Sequence, residues 1–243
     1  MASRLNLRVF PDPPTVARAA AARLASLIAA KTSRGLTFSL ALSGGTTPRP
    51  LYRHLADAYR DRIAWALVDI YWSDERYVPH DDPRSNYRMA RETLLDHVPV
   101  TPARVHSIPT GPADPDEAAR RYERLLPPSL DLVLLGIGRD GHTASLFPGS
   151  AALGETRRRV VAVADAPVEP RRRLTLTFPA LNDAQAVFFL VTGADKAEAL
   201  RRIVAEAADV HVCPAAGVRP RHGTVLWWVD AAAASGLGRG AYS

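Results

Sequence analysis

The sequence is poor in cysteine, in lysine and in long apolar runs. Its single cysteine, Cys213, excludes an internal disulfide framework among its 243 residues. No apolar run approaches the roughly 20 residues of a membrane-spanning helix, and the first residues lack the apolar core of a secretory signal. We therefore expect a protein located in the cytoplasm.

The scarcity of lysine bears on the kind of partner. Lys31 and Lys196 are the only lysines among the 31 lysine and arginine residues, which face 25 acidic residues and leave a net charge of +6. The arginines are spread along the chain, and the two dense clusters, at 157–159 and 171–173, are not interleaved with aromatic residues. This pattern disfavours nucleic acid as a partner and favours a small anionic molecule.

Short β-rich segments alternate with amphipathic helical segments along the chain. Strands are predicted at 35–43, 65–72, 130–137, 159–165, 173–178, 186–192 and 224–230, and helices at 14–31, 47–60, 85–98, 116–126 and 195–207. The alternation predicts an α/β fold with a mainly parallel sheet, helices on both faces and ligands at the carboxyl ends of the strands. At 47% hydrophobic content the chain is long enough for one large core, so we expect a single domain over residues 1–243.

The first of these strand ends is the segment "SGGTT" at 43–47, which Pro48 follows at a predicted helix start. Free backbone N–H groups, hydroxyls and the positive end of a helix would converge there, and this favours phosphate binding. The segment lacks the G-K-[ST] of a Walker loop and the G-x-S-x-G of a nucleophile elbow. A glycine-rich turn that binds no ligand is the alternative.

Two further strand ends carry charged side chains. Asp74, Glu75 and Arg76 follow a predicted strand, and the planar guanidinium of Arg76 suits phosphate or carboxylate oxygens. A solvated loop would have the same composition. At the other strand end, "GIGRDGHTAS" at 136–145, glycines present Asp140 and His142, which favours acid–base chemistry over a structural role for the histidine.

The same segment contains G-x-G-x-x-G, the fingerprint of dinucleotide-binding loops. That fingerprint requires a helix after the glycines, whereas Pro148 and Gly149 break any helix within two turns. Asp140 would also bring a negative charge to the place of a pyrophosphate. A dinucleotide-dependent oxidoreductase is therefore disfavoured. Cys213 is expected to be buried, and the other histidines show no metal-binding pattern.

The order of the motifs resembles that of the 6-phosphogluconolactonases. The matching segments are "LSGGTTP", "WSDERYVP" with "SNYRMA", "LGIGRDGHTASLFPGS", "RRRLTLTFPALN", "VTGADKAEAL", and "PAAGV" followed by "VLWWVDAAAA". The resemblance spans nearly the whole chain and implies a single-domain, Rossmann-like α/β fold shared with glucosamine-6-phosphate deaminases and ribose-5-phosphate isomerases. It also implies hydrolysis of 6-phospho-D-glucono-1,5-lactone to 6-phosphogluconate in the oxidative pentose phosphate pathway, with no metal and no cofactor.

The resemblance further implies which residues form the site. His142 and Asp140 would be catalytic. The substrate and its phosphate would contact Ser43, Gly44, Gly45, Thr46, Thr47, Asp74, Arg76, Arg173 and Lys196. The sequence leaves open which of Arg171, Arg172 and Arg173 contacts phosphate, and a surface lysine at a helix start is the alternative for Lys196.

Lactone hydrolysis needs an activated water, stabilisation of an oxyanion and a proton for the leaving oxygen. His142 is suited to take the proton from water and to return it. Asp140 is suited to orient either His142 or the substrate hydroxyls, and either Arg76 or loop N–H groups can face the oxyanion. The sequence does not divide these roles.

Two other functions share parts of the pattern. In the resembling deaminase/isomerase group an acidic residue stands just before the Pro-Gly, where this chain has Phe147. A non-catalytic sugar-phosphate sensor would use the same fold, but the chain has no helix-turn-helix segment to spare. We expect a monomer or weak homodimer that binds a small-molecule substrate and neither nucleic acid nor membrane.

Overall fold

The computed structural model describes residues 6–111, 114–204 and 209–238. Along these residues the strands are β1 (Leu7–Phe10), β2 (Phe38–Leu42), β3 (Val68–Trp72), β4 (Asp74–Arg76), β5 (Leu132–Leu135), β6 (Val160–Val163), β7 (Arg173–Leu176), β8 (Ala186–Val191) and β9 (Thr224–Asp230). The α-helices are α1 (Pro13–Thr32), α2 (Arg49–Tyr59), α3 (Asn86–Thr93), α4 (Pro115–Leu125), α5 (Phe178–Asn182) and α6 (Ala197–Val204).

The larger sheet has six strands, all parallel, in the order β1-β9-β8-β5-β2-β3. Every residue of β2, β5 and β8 is buried, as expected for strands that are covered on both faces. The chain moves from β2 to β3 on one side and later returns to place β5 on the other side. With right-handed crossovers, α1 and α2 cover one face and α6 covers the opposite face. The reversal between β2 and β5 opens a crevice at their carboxyl ends, where ligands bind in open α/β sheets.

A small antiparallel sheet, in the order β4-β7-β6, adjoins the parallel one. Only Ser73 separates β3 from β4, so β4 takes the chain directly from one sheet into the other. Across the ladder Arg76 lies opposite Arg173, and Asp74 lies opposite Thr175. Because alternate residues of a strand share a face, these four side chains lie on one face of the small sheet.

Helix α1 shows how local sequence fixes an element beside the crevice. The Asp12 carboxylate accepts a hydrogen bond from the Thr15 amide at 2.7 Å, and prolines occupy the first turn, where a missing N–H costs nothing. Leu24 and Ile28 on its inner face are fully buried. Of the helices in the described residues, none is both long and apolar enough to cross a membrane.

The predicted α/β fold with a mainly parallel sheet is confirmed, but details differ. The predicted strands at 159–165 and 173–178 form β6 and β7 of the antiparallel sheet. The predicted helix at 85–98 ends as an α-helix at Thr93, and the one at 195–207 begins at Ala197. Residues 205–207 of that prediction lie outside the described residues.

Candidate active site

A cleft of about 500 Å³ opens at the carboxyl ends of β2, β3, β5 and β8. The predicted substrate-binding residues all line it, namely Ser43, Gly44, Gly45, Thr46, Thr47, Asp74, Arg76, Arg173 and Lys196. His142 lines it as well, and Asp140 lies beside His142. Residues more than 150 positions apart in the chain, such as Ser43 and Lys196, therefore meet in one place, because parallel strands end at the same edge of a sheet.

The loop at 43–47 is fixed at its start by Tyr52 of α2. The Tyr52 hydroxyl accepts a hydrogen bond from the Ser43 amide at 2.9 Å and donates one to the Ser43 carbonyl at 2.8 Å. Burial raises the pKa of Tyr52, so the hydroxyl keeps its proton and can fill both roles. The loop then leads into α2, whose N-terminus carries the positive end of the helix dipole. This arrangement suits a phosphate anion.

Gly44 of this loop lies against Asn86, the first residue of α3. A Cβ atom on Gly44 would lie 1.9 Å from Asn86 Oδ1, so a larger residue would displace the amide. Asn86 is buried, lines the cleft and donates from Nδ2 to the Asp74 carbonyl at 2.9 Å. Within the described residues its Oδ1 has no hydrogen-bond partner. Asn86 is not predicted from the sequence, and the only signal for it is its position directly after Ser85 at a predicted helix start.

The small sheet brings two guanidinium groups to the cleft, from Arg76 and Arg173. Arg171 and Arg172 are exposed, whereas Arg173 is 5% exposed, and this answers which member of the triplet faces the cleft. Burial lowers the pKa of Arg173, and the neighbouring positive charge of Arg76 adds to that effect while Asp74 opposes it. A bound anion would offset the effects of both burial and Arg76.

Carbonyl groups fix the direction of Arg173. Its Nε donates to the Pro170 carbonyl at 2.5 Å, and its Nη2 donates to the Val168 carbonyl at 3.2 Å. Both acceptors belong to the loop between β6 and β7, and Val168 itself lines the cleft. These contacts hold the arginine in place before any ligand binds.

Asp74 is the buried acidic residue of the cleft. Its Oδ2 accepts a hydrogen bond from the Ser145 hydroxyl at 2.7 Å, and its Oδ1 accepts one from Asn86 Nδ2 at 3.3 Å. These bonds fix both carboxylate oxygens. The remaining lone pairs can accept hydrogen bonds from substrate hydroxyls.

The loop after β5 presents the pair Asp140 and His142. The Asp140 Oδ1 atom lies 2.6 Å from His142 Nδ1 and also accepts the His142 backbone amide at 3.1 Å. Gly141, between them, has a φ of +87°, in the left-handed region that favours glycine, and a Cβ there would lie 2.6 Å from Cys213 Sγ. The predicted burial of Cys213 is confirmed, and it packs behind this loop.

The electrostatics of the pair set the histidine tautomer. Burial disfavours ionisation of Asp140, but the hydrogen bond from His142 and its charge outweigh this and lower the pKa of Asp140. An ionised carboxylate only accepts hydrogen bonds, so His142 Nδ1 carries a proton, and in the neutral imidazole the lone pair is therefore on Nε2. The His142 ring packs against Phe147 with the ring centroids 4.6 Å apart. The arrangement can therefore take a proton from a water molecule in the cleft.

Lys196 reaches the cleft from the loop after β8. It ends a 3₁₀ turn just before α6, and its side chain is 21% exposed. Asp195 lies beside it, with Oδ2 at 3.4 Å from Lys196 Nζ and at 2.8 Å from Nε of Arg139. Asp195 thus connects the Lys196 loop with the loop that carries His142. Asp195 is not predicted from the sequence, because an aspartate beside a lysine is common on protein surfaces.

Among the described residues, no three His, Cys, Asp or Glu side chains are grouped so that they could hold a metal ion. The cleft combines two guanidinium groups, an ammonium group and one imidazole with three carboxylates, those of Asp74, Asp140 and Asp195. It suits a phosphorylated, hydroxyl-rich molecule.

Comparison with known proteins gives consistent matches. Residues 11–227 match the family described as glucosamine-6-phosphate isomerases/6-phosphogluconolactonase. The chain is 44% identical over 209 residues to 6-phosphogluconolactonase of Synechocystis sp., with 82% of this chain and 84% of that protein covered. It is 40% identical over 259 residues to 6-phosphogluconolactonase of Streptomyces coelicolor, with 100% and 98% covered. Among solved structures it is similar to 6-phosphogluconolactonase from Trypanosoma cruzi, with a TM-score of 0.86, 30% identity and 98% of each chain covered.

Proposed function

Because the chain belongs to the glucosamine-6-phosphate isomerase/6-phosphogluconolactonase family, we propose that the cleft is the active site in which this enzyme hydrolyses its lactone substrate. The enzyme hydrolyses 6-phospho-D-glucono-1,5-lactone to 6-phospho-D-gluconate in the oxidative pentose phosphate pathway. One observation assigns the hydrolysis to this cleft. The Asp140–His142 pair, with 2.6 Å between Oδ1 and Nδ1, lies at a cleft that Arg76 and Arg173 also line.

The phosphate is bound by the basic residues of the cleft. Arg76 and Arg173 present two guanidinium groups, Lys196 adds a point charge, and the loop at 43–47 adds amides and hydroxyls. The phosphate is remote from the reacting carbon of the lactone. Its binding energy therefore serves to hold the lactone in a reactive orientation.

Hydrolysis begins when His142 Nε2 takes a proton from a water molecule. The water oxygen bonds to the lactone carbonyl carbon, and N–H donors of the cleft stabilise the tetrahedral oxyanion. When the oxyanion collapses, the bond to the ring oxygen breaks and His142 returns its proton to that oxygen. Asp140 holds the imidazole in the reactive tautomer and stabilises the imidazolium that forms in between.

Phe147 supports hydrolysis over the deaminase/isomerase alternative. It occupies the position directly before Pro148 and Gly149. In the resembling deaminase/isomerase group, an acidic residue is expected at this position. Its buried ring packs against the His142 ring, so no carboxylate at this position assists ring opening. The chain should release no ammonia from glucosamine 6-phosphate.

A coupled assay tests the proposal by comparing the release of acid from fresh 6-phosphogluconolactone with the uncatalysed rate. Arg173→Ala should raise KM by a factor that corresponds to about 1.5–3 kcal/mol, the usual value of a hydrogen bond to a charged group. Arg171→Ala is the matched control, because that neighbour is exposed and should leave KM unchanged. Equal use of the phosphorylated and unphosphorylated lactones would refute the phosphate site.

A further inference from the structure

Glu75 lies between the cleft residues Asp74 and Arg76 but does not line the cleft itself. It is 1% exposed, and its carboxylate is surrounded by donors. Oε1 accepts hydrogen bonds from the backbone amides of Arg76 at 2.6 Å and Asn86 at 2.7 Å. Oε2 accepts from the Tyr87 amide at 2.7 Å and the Ser85 hydroxyl at 3.0 Å. One buried carboxylate thus joins the end of β4 to the first turn of α3.

The segment that Glu75 holds is the one that directs the cleft residues. The carbonyl of Arg84, next to this segment, accepts a hydrogen bond from Arg76 Nη1 and so aims the guanidinium. The Asn86 side chain, in turn, fixes the Asp74 carbonyl and lies against Gly44 of the phosphate-binding loop. The direction of the Arg76 guanidinium therefore depends on where the start of α3 lies. The Asp74 carboxylate is also fixed by Ser145, and the 43–47 loop is also fixed by Tyr52.

We propose that Glu75 is a positioning residue of the active site, which fixes the start of α3 so that the Arg76 guanidinium faces the substrate phosphate. The proposal rests on the proposed function, in which Arg76 binds that phosphate. Glutamine has the same shape as glutamate, but its amide nitrogen would meet N–H donors in place of an acceptor oxygen. Glu75→Gln therefore loosens the start of α3 while it keeps the volume of the side chain.

The test compares Glu75→Gln with Glu92→Gln, which removes an exposed carboxylate from the same helix. We expect Glu75→Gln to raise KM for the phosphorylated lactone about tenfold and to leave kcat within about twofold. The kcat/KM for unphosphorylated gluconolactone should stay unchanged, because that substrate makes no contact with Arg76 through a phosphate. Glu92→Gln should match the wild type with both substrates.

A double variant separates positioning from general stability. If Glu75 acts through Arg76, Glu75→Gln combined with Arg76→Ala should bind phosphate no more weakly than Arg76→Ala alone. Additive losses would overturn the proposal, as would a Glu75→Gln enzyme with the KM of the wild type. If Glu75→Gln does not fold, Ser85→Ala removes one of the four donors and should raise KM by a smaller factor, and an unchanged KM would overturn the proposal.

Calorimetric titration with inorganic phosphate measures the affinity of the cleft for phosphate without requiring enzyme activity. It therefore tests the role of Glu75 separately from the proposed function. An inactive wild-type enzyme would refute the function. In that case a lower phosphate affinity in Glu75→Gln than in Glu92→Gln would still support positioning by Glu75, and equal affinities would refute it.

Discussion

At the scale of the residue, the pairing of Asp140 with His142 depends on the turn between them. The two residues are only two positions apart, and the left-handed backbone of Gly141 lets the carboxylate reach both the amide and the ring of His142. Ring orientation and tautomer are thus set within a single loop. A histidine held in this way needs no partner from a distant element.

Replacement of His142 should affect the chemical step and spare binding. We expect His142→Ala to lose about 10²–10⁴ in kcat, the usual contribution of a positioned acid–base group, and to bind 6-phosphogluconate as the wild type does. Steady-state kinetics and titration calorimetry measure the two quantities. His222→Ala is the control, since this histidine is exposed and outside the cleft lining. Near-normal kcat in His142→Ala would move the base to Asp74 or Asp140.

Asp140→Asn should change stability in a pH-dependent way. The folded protein lowers the pKa of Asp140 below its ordinary value of 3.8, so ionised Asp140 stabilises the folded state above that pH. The stabilisation is lost as the pH falls through the lowered pKa. Chemical denaturation should show the wild type to be more stable than Asp140→Asn at neutral pH, with the difference shrinking below about pH 4. A difference that grows on acidification would contradict the pairing.

Among the elements, the close approach between the 43–47 loop and α3 shapes the end of the cleft that we propose binds phosphate. Gly44 and Asn86 touch because glycine has no side chain, and Asn86 cannot retreat easily while it is bonded to Asp74. The two elements are separated by β3 and β4 in the chain. Their contact therefore links the position of the loop that follows β2 to the position of the residues that follow β3.

Gly44→Ala should push Asn86 away and loosen this coupling. We expect a loss of about 1–3 kcal/mol in the free energy of unfolding, the usual range for overpacking, and a higher KM for the phosphorylated lactone. Gly154→Ala is the control, because a Cβ there has no atom within 4 Å. Adding Asn86→Ala should recover part of the lost stability by removing the clash. Failure of that second change to recover any stability would place the strain elsewhere.

The sequence predicts five of the six strands of the parallel sheet, because their apolar runs are continuous and follow from burial on both faces. It misses β1, a short edge strand in which only Leu7 is buried. It does not predict β4, since the three charged residues Asp74, Glu75 and Arg76 resemble a solvated loop, and their pairing with β7 joins positions about 100 apart. The same limit hides Asn86 and the positioning role that we propose for Glu75. The local sequence pattern shows which side chains follow a strand. Which way those side chains point is decided by strand pairing between distant segments.

At the scale of the whole molecule, two sheets contribute to one cleft. The parallel sheet supplies the loops after β2, β5 and β8, and the small antiparallel sheet supplies Arg76 and Arg173. A single domain over residues 1–243 remains a prediction of the sequence. A cytoplasmic location and a monomeric or weakly dimeric state remain predictions of the sequence.

Because ligand-binding groups come from both sheets, product binding should stabilise the molecule as a unit. At a concentration 100 times its Kd, a ligand that binds only the folded state adds about 2.7 kcal/mol of stability. For a chain of this length that corresponds to a rise of about 5–10 °C in Tm. We expect this rise with 6-phosphogluconate in a thermal melt of the wild type.

Arg173→Ala should show a smaller rise at the same ligand concentration. If the lost guanidinium weakens binding tenfold, the stabilisation falls to about 1.4 kcal/mol, roughly half of the wild-type value. Arg171→Ala, with its exposed side chain, should retain the full rise. Unphosphorylated gluconate should give little stabilisation in any of the three proteins, since it lacks the group that joins the two sheets. If gluconate raised Tm as much as 6-phosphogluconate does, the basic end of the cleft would not be a phosphate site.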